Sequence, residues 1–254
     1  MASTWSIVLL CAAAFAGGAV NAIAGGGTLL TFPSLLALLS PVSANATSTM
    51  ALLPGSLAAG FGFRRELAKN GRILMFLWPP SLVGGILGSI LLIRMPEKVF
   101  AAAVPWLLVG ASVLLLLQKP LARHFGAHPH EPPQGGRLAA IVAFQLMVGI
   151  YGGYFGAGIG ILMLSSLAFA GISDIHGMNA VKSILAATMN GVTAIILAWA
   201  GVVNWKYAAM MAAAAIVGGY AGARVARRMR PDYVRVIVVA IGFGVAAYSW
   251  VSSR

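Results

Sequence analysis

Carboxylates are the scarcest chemistry in this sequence: five acidic residues in 254, namely Glu66, Glu97, Glu131, Asp174 and Asp232. All five fall in connections between apolar blocks. A pathway for a cation or a proton usually buries a carboxylate within the spans, and none is placed there, so a cationic substrate is disfavoured. Cysteine occurs once, as Cys11, which excludes an intrachain disulfide and every multi-cysteine metal motif. The residue reads as a small apolar member of a helix. There is no His-Glu-x-x-His sequence, no cluster of His or Cys ligands and no intramembrane aspartate pair. A metal centre or a membrane-embedded enzyme therefore lacks its usual residues, and neither a metal nor a cofactor is expected. His124, His128 and His130 stand with Pro129, Pro132 and Pro133 in a polar stretch that reads as a solvated linker.

Charge of any kind is sparse. Charged residues make up 9% of the chain against 60% hydrophobic, with a mean hydropathy of +0.91, whereas soluble domains carry about a quarter charged residues. The chain reads as an all-α polytopic membrane protein, because its apolar runs are continuous in Ala, Leu, Val and Ile rather than alternating as barrel strands do. The net charge of +12 does not point to nucleic acid, since Lys and Arg gather in the turns, where membrane topology accounts for them. The N-terminal stretch ends in Ala22-Ile23-Ala24, which resembles a signal-peptide cleavage site, but it lacks a basic leader and is expected to be retained as a first helix.

Ten apolar segments are predicted, at 5–22, 28–40, 44–62, 73–93 and 99–117, then 137–153, 158–171, 178–199, 205–224 and 233–250. About 20 residues are needed to cross the hydrocarbon, so eight segments qualify and the second of each set of five does not. The short pair is expected either to dip in from a surface or to cross a thinned region. A shift of 134 residues places Asn45-Ala46 on Asn179-Ala180 and Asn70 on Asn204. It also places Val83-Gly84-Gly85-x-x-Gly88 on Val217-Gly218-Gly219-x-x-Gly222, and Arg94-Met95 on Arg228-Met229. Agreement of unlike residues in one register implies two duplicated halves: a first transmembrane repeat at 1–118, a polar linker at 119–136 and a second transmembrane repeat at 137–254. Gly84-xxx-Gly88 and Gly218-xxx-Gly222 are read as helix-packing pairs.

Parity of the crossings decides how the halves are related. With all ten segments crossing, Arg64, Arg65, Lys69, Arg72, Lys119, Arg123, Arg137, Arg224, Arg227, Arg228, Arg230 and Arg235 share one face. Arg94, Lys98, Lys206 and Arg254 share the other. Re-entrant short segments give a nearly even split, so the positive-inside rule favours ten crossings, inverted repeats and both termini outside the cytoplasm.

The candidate site is a stretch used twice. Gly25-Gly26-Gly27-Thr28 opens the first short helix and Asn45-Ala46-Thr47-Ser48 follows it; Gly156-Ala157-Gly158-Ile159-Gly160 opens the second, followed by Asn179-Ala180-Val181-Lys182-Ser183. Backbone N–H groups at glycine turns and helix N-termini bind oxyanions without a charged side chain. The substrate-binding candidates are thus Gly25, Gly26, Gly27, Thr28, Asn45, Thr47 and Ser48, with Gly156, Gly158, Gly160, Asn179, Lys182 and Ser183. Asn45 and Asn179 could instead be N-caps, and Lys182 could snorkel to the surface. As a fixed ammonium inside a span, where its counterpart is Ser48, Lys182 would draw in an anion and balance it. Asp174 with His176 could titrate as a pair, although two polar loop residues is the plainer reading.

These paired motifs, with Pro33 and the Val203-Asn204-Trp205 turn, resemble the sulfite exporter TauE/SafE family, also grouped as toluene-sulfonate uptake permeases. The resemblance runs from Gly17 to Val245. It implies a multi-pass carrier in the bacterial inner membrane for small sulfur-containing anions such as sulfite or organosulfonates, without a prosthetic group. Leu164 stands where Pro33 stands in the first half and Val181-Lys182 where Thr47-Ser48 stand, so an asymmetric site is expected. Residues and resemblance together predict a secondary transporter for a small anion working by alternating access, with an anion channel and then a membrane-embedded enzyme as alternatives. The glycine loop of each half is expected to meet the asparagine of the other. Partners expected are the anion and the lipid bilayer, with homo-oligomerisation left open.

Overall fold

The computed structural model describes residues 4–23, 25–62, 67, 70–125, 135–172, 174–225, 239–244 and 246–247. Among them the chain is helical with no strand: α1 (Thr4–Ile23), α2 (Thr28–Leu36), α3 (Pro41–Gly62), α4 (Gly71–Arg94), α5 (Glu97–Phe125), α6 (Gly135–Tyr154), α7 (Ile159–Phe169), α8 (Ile175–Trp199) and α9 (Trp205–Val225). Residues 239–244 are also helical, and the rest of the predicted tenth segment lies largely outside the described residues. The predicted linker is shorter than expected at its start, because α5 continues to Phe125; residues 126–134, with His128 and His130, lie outside the described residues. The loop carrying Arg64 and Arg65 and the stretch with Arg227 to Arg235 lie outside them too.

Local signals set the boundaries. Pro41 opens α3 at the position where a missing N–H costs nothing. Asp174 caps α8, its carboxylate accepting from the N–H groups of His176 at 3.2 Å and Gly177 at 2.8 Å. Asn70 and Asn204, equivalent under the 134-residue shift, stand before α4 and α9, and the Asn204 side chain accepts from Tyr207 N at 3.2 Å. Among the described residues five helices are long and apolar enough to cross a membrane: α1, α4, α5, α6 and α8. The helix α3 matches them in length but is diluted by Ser43, Asn45, Thr47, Ser48, Thr49 and Ser56, most of which are buried in the protein.

The short helices have 9 and 11 residues, which gives lengths of about 13 and 16 Å. Each folds back on the helix before it. Ser6 and Leu9 of α1 border one groove with Ser34 of α2 and Leu38 just beyond its end. At the other hairpin, Arg137 near the start of α6 donates to the carbonyl of Phe169, the last residue of α7, at 2.7 Å. The helix α2 buries Leu29, Thr31, Phe32 and Leu35 and turns Leu30, Pro33 and Ser34 to the groove, whereas α7 is wrapped in protein, nearly every residue buried. Helices apolar on all sides belong in such surroundings, and the irregular glycine backbone at membrane depth is tolerated only there.

Glycine contacts fix the helix directions. Phe15 and Ala19 of α1 meet Gly218 and Gly222 of α9 in order, so that pair is parallel. Gly84 and Gly88 of α4 meet Gly149 and Gly153 of α6, again parallel. A Cβ on Gly84 would lie 2.6 Å from the Cα of Gly149, and one on Gly222 2.6 Å from the Cα of Ala19, so both sequence pairs serve close packing, as expected. In the centre α3 and α8 run antiparallel, Gly60 beside Ile184 and Gly191 beside Leu53. With α3 parallel to α9 and α8 parallel to α4 through Thr47–Asn204 and Trp78–Thr188, the α1–α2 and α6–α7 hairpins point in opposite directions and overlap.

Candidate functional site

The tips of the two hairpins touch. Gly160 N donates to the carbonyl of Gly25 at 3.3 Å, and a methyl group on either residue would overlap the Cα of the other. Gly25 and Gly156 share a φ of 78°, and each N–H reaches the carbonyl five residues back, Val20 at 3.0 Å and Tyr151 at 3.2 Å. The left-handed backbone is open to glycine at little cost, which explains why both loops carry it at the same place.

These bonds revise part of the expected anion cradle. The N–H groups of Gly25, Gly156 and Gly160 are engaged by the chain itself, and the carbonyls of Gly26 and Gly27 accept from Leu29 and Leu30 in the first turn of α2. Gly158, with φ 71°, starts α7 and packs against Ala111 of α5. The loops act first as a seam between hairpins.

Beside the seam lies a cavity of about 10 Å³, room for about one water molecule. The loops contribute Gly25, Thr28, Gly156 and Gly160; α3 contributes Ser56, and α8 contributes Lys182, Ser183 and Asn190. Lys182 is 1% exposed. Its Nζ donates to the carbonyls of Asn21 at 3.1 Å and Ala22 at 3.2 Å and to Asn179 Oδ1 at 2.8 Å. Three acceptors use all three N–H bonds of an ammonium, and all three are neutral. It forms no ion pair among the described residues. The two carbonyls belong to the last turn of α1, where helices leave acceptors unpaired. Snorkelling is therefore not what this lysine does: it turns inward and caps another helix.

Asn45 and Asn179 are each the fifth residue of their helices, so neither is an N-cap. Asn45 Nδ2 donates to the carbonyl of Tyr154, at the end of α6, at 3.0 Å. The asparagine of α3 thus serves the second glycine loop, while Asn179, through Lys182, serves the first. Asn45 Oδ1 is buried without a partner. Thr47 accepts from Asn204 N at 3.0 Å, and Ser48 pairs with Thr31 at 2.6 Å. Asn45, Thr47 and Ser48 hold helices together away from the cavity. Ser183 borders it while donating to Asn179 O at 2.8 Å. Asp174 and His176 do not pair through the imidazole; the carboxylate is taken by backbone N–H groups.

A second, open hollow of about 600 Å³ lies where α3 begins and α4 ends, bordered by Ser43, Met95, Glu97 and Asn204.

Residues 10–249 match the family model described as sulfite exporter TauE/SafE. The chain belongs to this family. Among relatives, a "Probable membrane transporter protein" of Haemophilus influenzae is 28% identical over 251 residues, 95% of this chain and 93% of its own. The Sinorhizobium protein ORF9, given the same description, is 27% identical over 248 residues, 94% and 90% of the two chains. YfcA of Escherichia coli K12, also so described, is 28% identical over 235 residues, 90% and 82%. This TauE/SafE member is accordingly a multi-pass inner-membrane transporter.

Sequence reasoning missed Asn21, Ser56 and Asn190, which border the cavity; Asn21 Nδ2 donates to Ser56 Oγ at 2.9 Å. Each is a polar residue inside an apolar span, and that signal alone could have singled them out.

Proposed function

We propose that the protein carries a small anion, with a sulfur oxyanion such as sulfite or an organosulfonate as the first choice, by alternating access of two inverted halves. The observation that carries the anion is Lys182: an ammonium in the interior, bonded only to neutral oxygens, beside a polar cavity at the meeting point of both hairpins. Sulfur rests on family membership alone.

The inverted arrangement is supported by reciprocal packing. The first helix of each half packs on the fourth of the other, α1 on α9 and α6 on α4, and the third helices cross antiparallel at the centre. A hairpin that returns to its own face has the same parity as two crossings, so the lopsided distribution of Lys and Arg is kept. The open hollow then faces away from the cytoplasm and the Arg137 end towards it. In this reading the hairpin tips form the closed barrier, and transport parts them.

The test is uptake into liposomes loaded with one labelled anion and challenged with a panel of sulfite, thiosulfate, sulfonates, sulfate and carboxylates. Saturable counterflow with at least one anion supports the carrier. Flux of amines or metal cations alone overturns the anion, and single-channel conductance overturns alternating access.

A further inference from the structure

We infer that Lys182 makes the cavity between the hairpins a site for singly charged anions and sets it against divalent ones; this rests on the anion reading above. The inference comes from counting charge where water is scarce. The ammonium brings one positive charge into the interior, and its three partners, Asn21 O, Ala22 O and Asn179 Oδ1, orient it without neutralising it. Among the described residues the only carboxylates are Glu97 and Asp174. Glu97 sits at the start of α5, and Asp174 is held by the backbone that begins α8.

The closed cavity holds about one water, so an oxyanion enters as the hairpins part, and beside Lys182 it then sets the net charge of the site directly. A monoanion gives a neutral pair, the one state in which a buried charge is compensated. A dianion leaves one negative charge in a region whose other described polar groups, those of Asn21, Thr28, Ser56, Ser183 and Asn190, are all neutral. Among the described residues no second cation borders the cavity, and the position equivalent to Lys182 is Ser48, whose hydroxyl is committed to Thr31. The remaining donors suit one small oxyanion. The Thr28 hydroxyl and the Asn190 amide border the cavity, are half-buried and make no side-chain hydrogen bond among the described residues. Hydroxyl and amide supply directional donors for a sulfonate or a hydrogen-sulfite-like headgroup, while the ammonium, whose three N–H bonds are held by protein oxygens, supplies one positive charge and no second.

The experiment compares fixed-charge anions, so that ligand titration plays no part. Thermal stabilisation of the purified full-length protein and competition with counterflow are measured for methanesulfonate and ethanesulfonate, monoanions, against sulfate and methanedisulfonate, dianions. A ligand that binds only the folded state raises its apparent stability. The expected result is an apparent affinity at least tenfold higher for the monoanions, kept in direction in Lys182→Arg and abolished in Lys182→Met. Equal or tighter binding of sulfate by the unaltered protein overturns the charge selection while leaving an anion carrier in place. Discrimination that survives in Lys182→Met removes Lys182 as its cause. Binding of no anion at all overturns both this inference and the carrier on which it rests. Because the first comparison uses the unaltered chain, it decides the matter even if Lys182→Met fails to fold.

Discussion

Gly160 N–H reaches the carbonyl of Gly25 at 3.3 Å, joining two loops 135 positions apart in the chain and brought in by hairpins of opposite direction. Both positions exclude a side chain, because each Cβ would overlap the other residue's Cα.

Replacing either glycine with alanine should therefore push the hairpins apart. Gly160→Ala is expected to cost about 1–3 kcal/mol through overpacking. Gly25→Ala should cost more, since its φ of 78° adds backbone strain. Gly110→Ala, which meets nothing within 4 Å, is the control and should leave the melting temperature unchanged or raised. Melting of detergent-solubilised protein by size-exclusion chromatography checks all three; an unaffected Gly25→Ala would remove the seam.

The Thr31–Ser48 contact at 2.6 Å, buried between α2 and α3, should behave as one interhelical hydrogen bond within the membrane, about 0.6 kcal/mol and at most about 1.7. A double-mutant cycle with Thr31→Val and Ser48→Ala is expected to give a coupling of that size, with the double variant less destabilised than the sum of the single ones. Zero coupling would mean that the two hydroxyls are independent.

Asn45→Ala should release the Tyr154 carbonyl at the end of α6 and cost about 1 kcal/mol. The counterpart experiment is Asp174→Ala, which removes the cap of α8 and should also cost about 1 kcal/mol. His176→Ala keeps the backbone N–H that the carboxylate accepts and should cost less than Asp174→Ala. Equal losses for Asp174→Ala and His176→Ala would favour the side-chain pair instead of the cap.

Topology is open to direct chemistry because Cys11 is the sole cysteine. In a Cys11→Ser background, single cysteines at Arg72, Arg137 and Arg224 are expected to label from the cytoplasmic side. Those at Met95 and Lys206 should label from the opposite one. Labelling of Arg137→Cys and Arg224→Cys from opposite sides would overturn the inverted arrangement.

What the chain alone determined was what repeats and what periodicity can mark. Apolar runs, sparse charge and the 134-residue register are local or comparative features, and they announced the helical membrane class, nine described helices to within a few residues except for the end of α5, which runs on from 117 to Phe125, and the pairing of glycine loops with asparagines. Asn45 serving Tyr154 and Lys182 serving Asn21 were legible as a crossed arrangement of the halves. Donor and acceptor identities were not legible, because a hydrogen bond between residues 109 or 161 positions apart depends on where two helices pass, not on either helix's sequence. Only the tertiary structure decided that the amides of Gly25, Gly156 and Gly160 bond to the chain itself and that Lys182 points inward onto the end of α1. It also drew Asn21, Ser56 and Asn190 to the same cavity. The physical reason is that an unpaired carbonyl at a helix end must find a donor when no water is at hand, and which donor arrives is settled by packing.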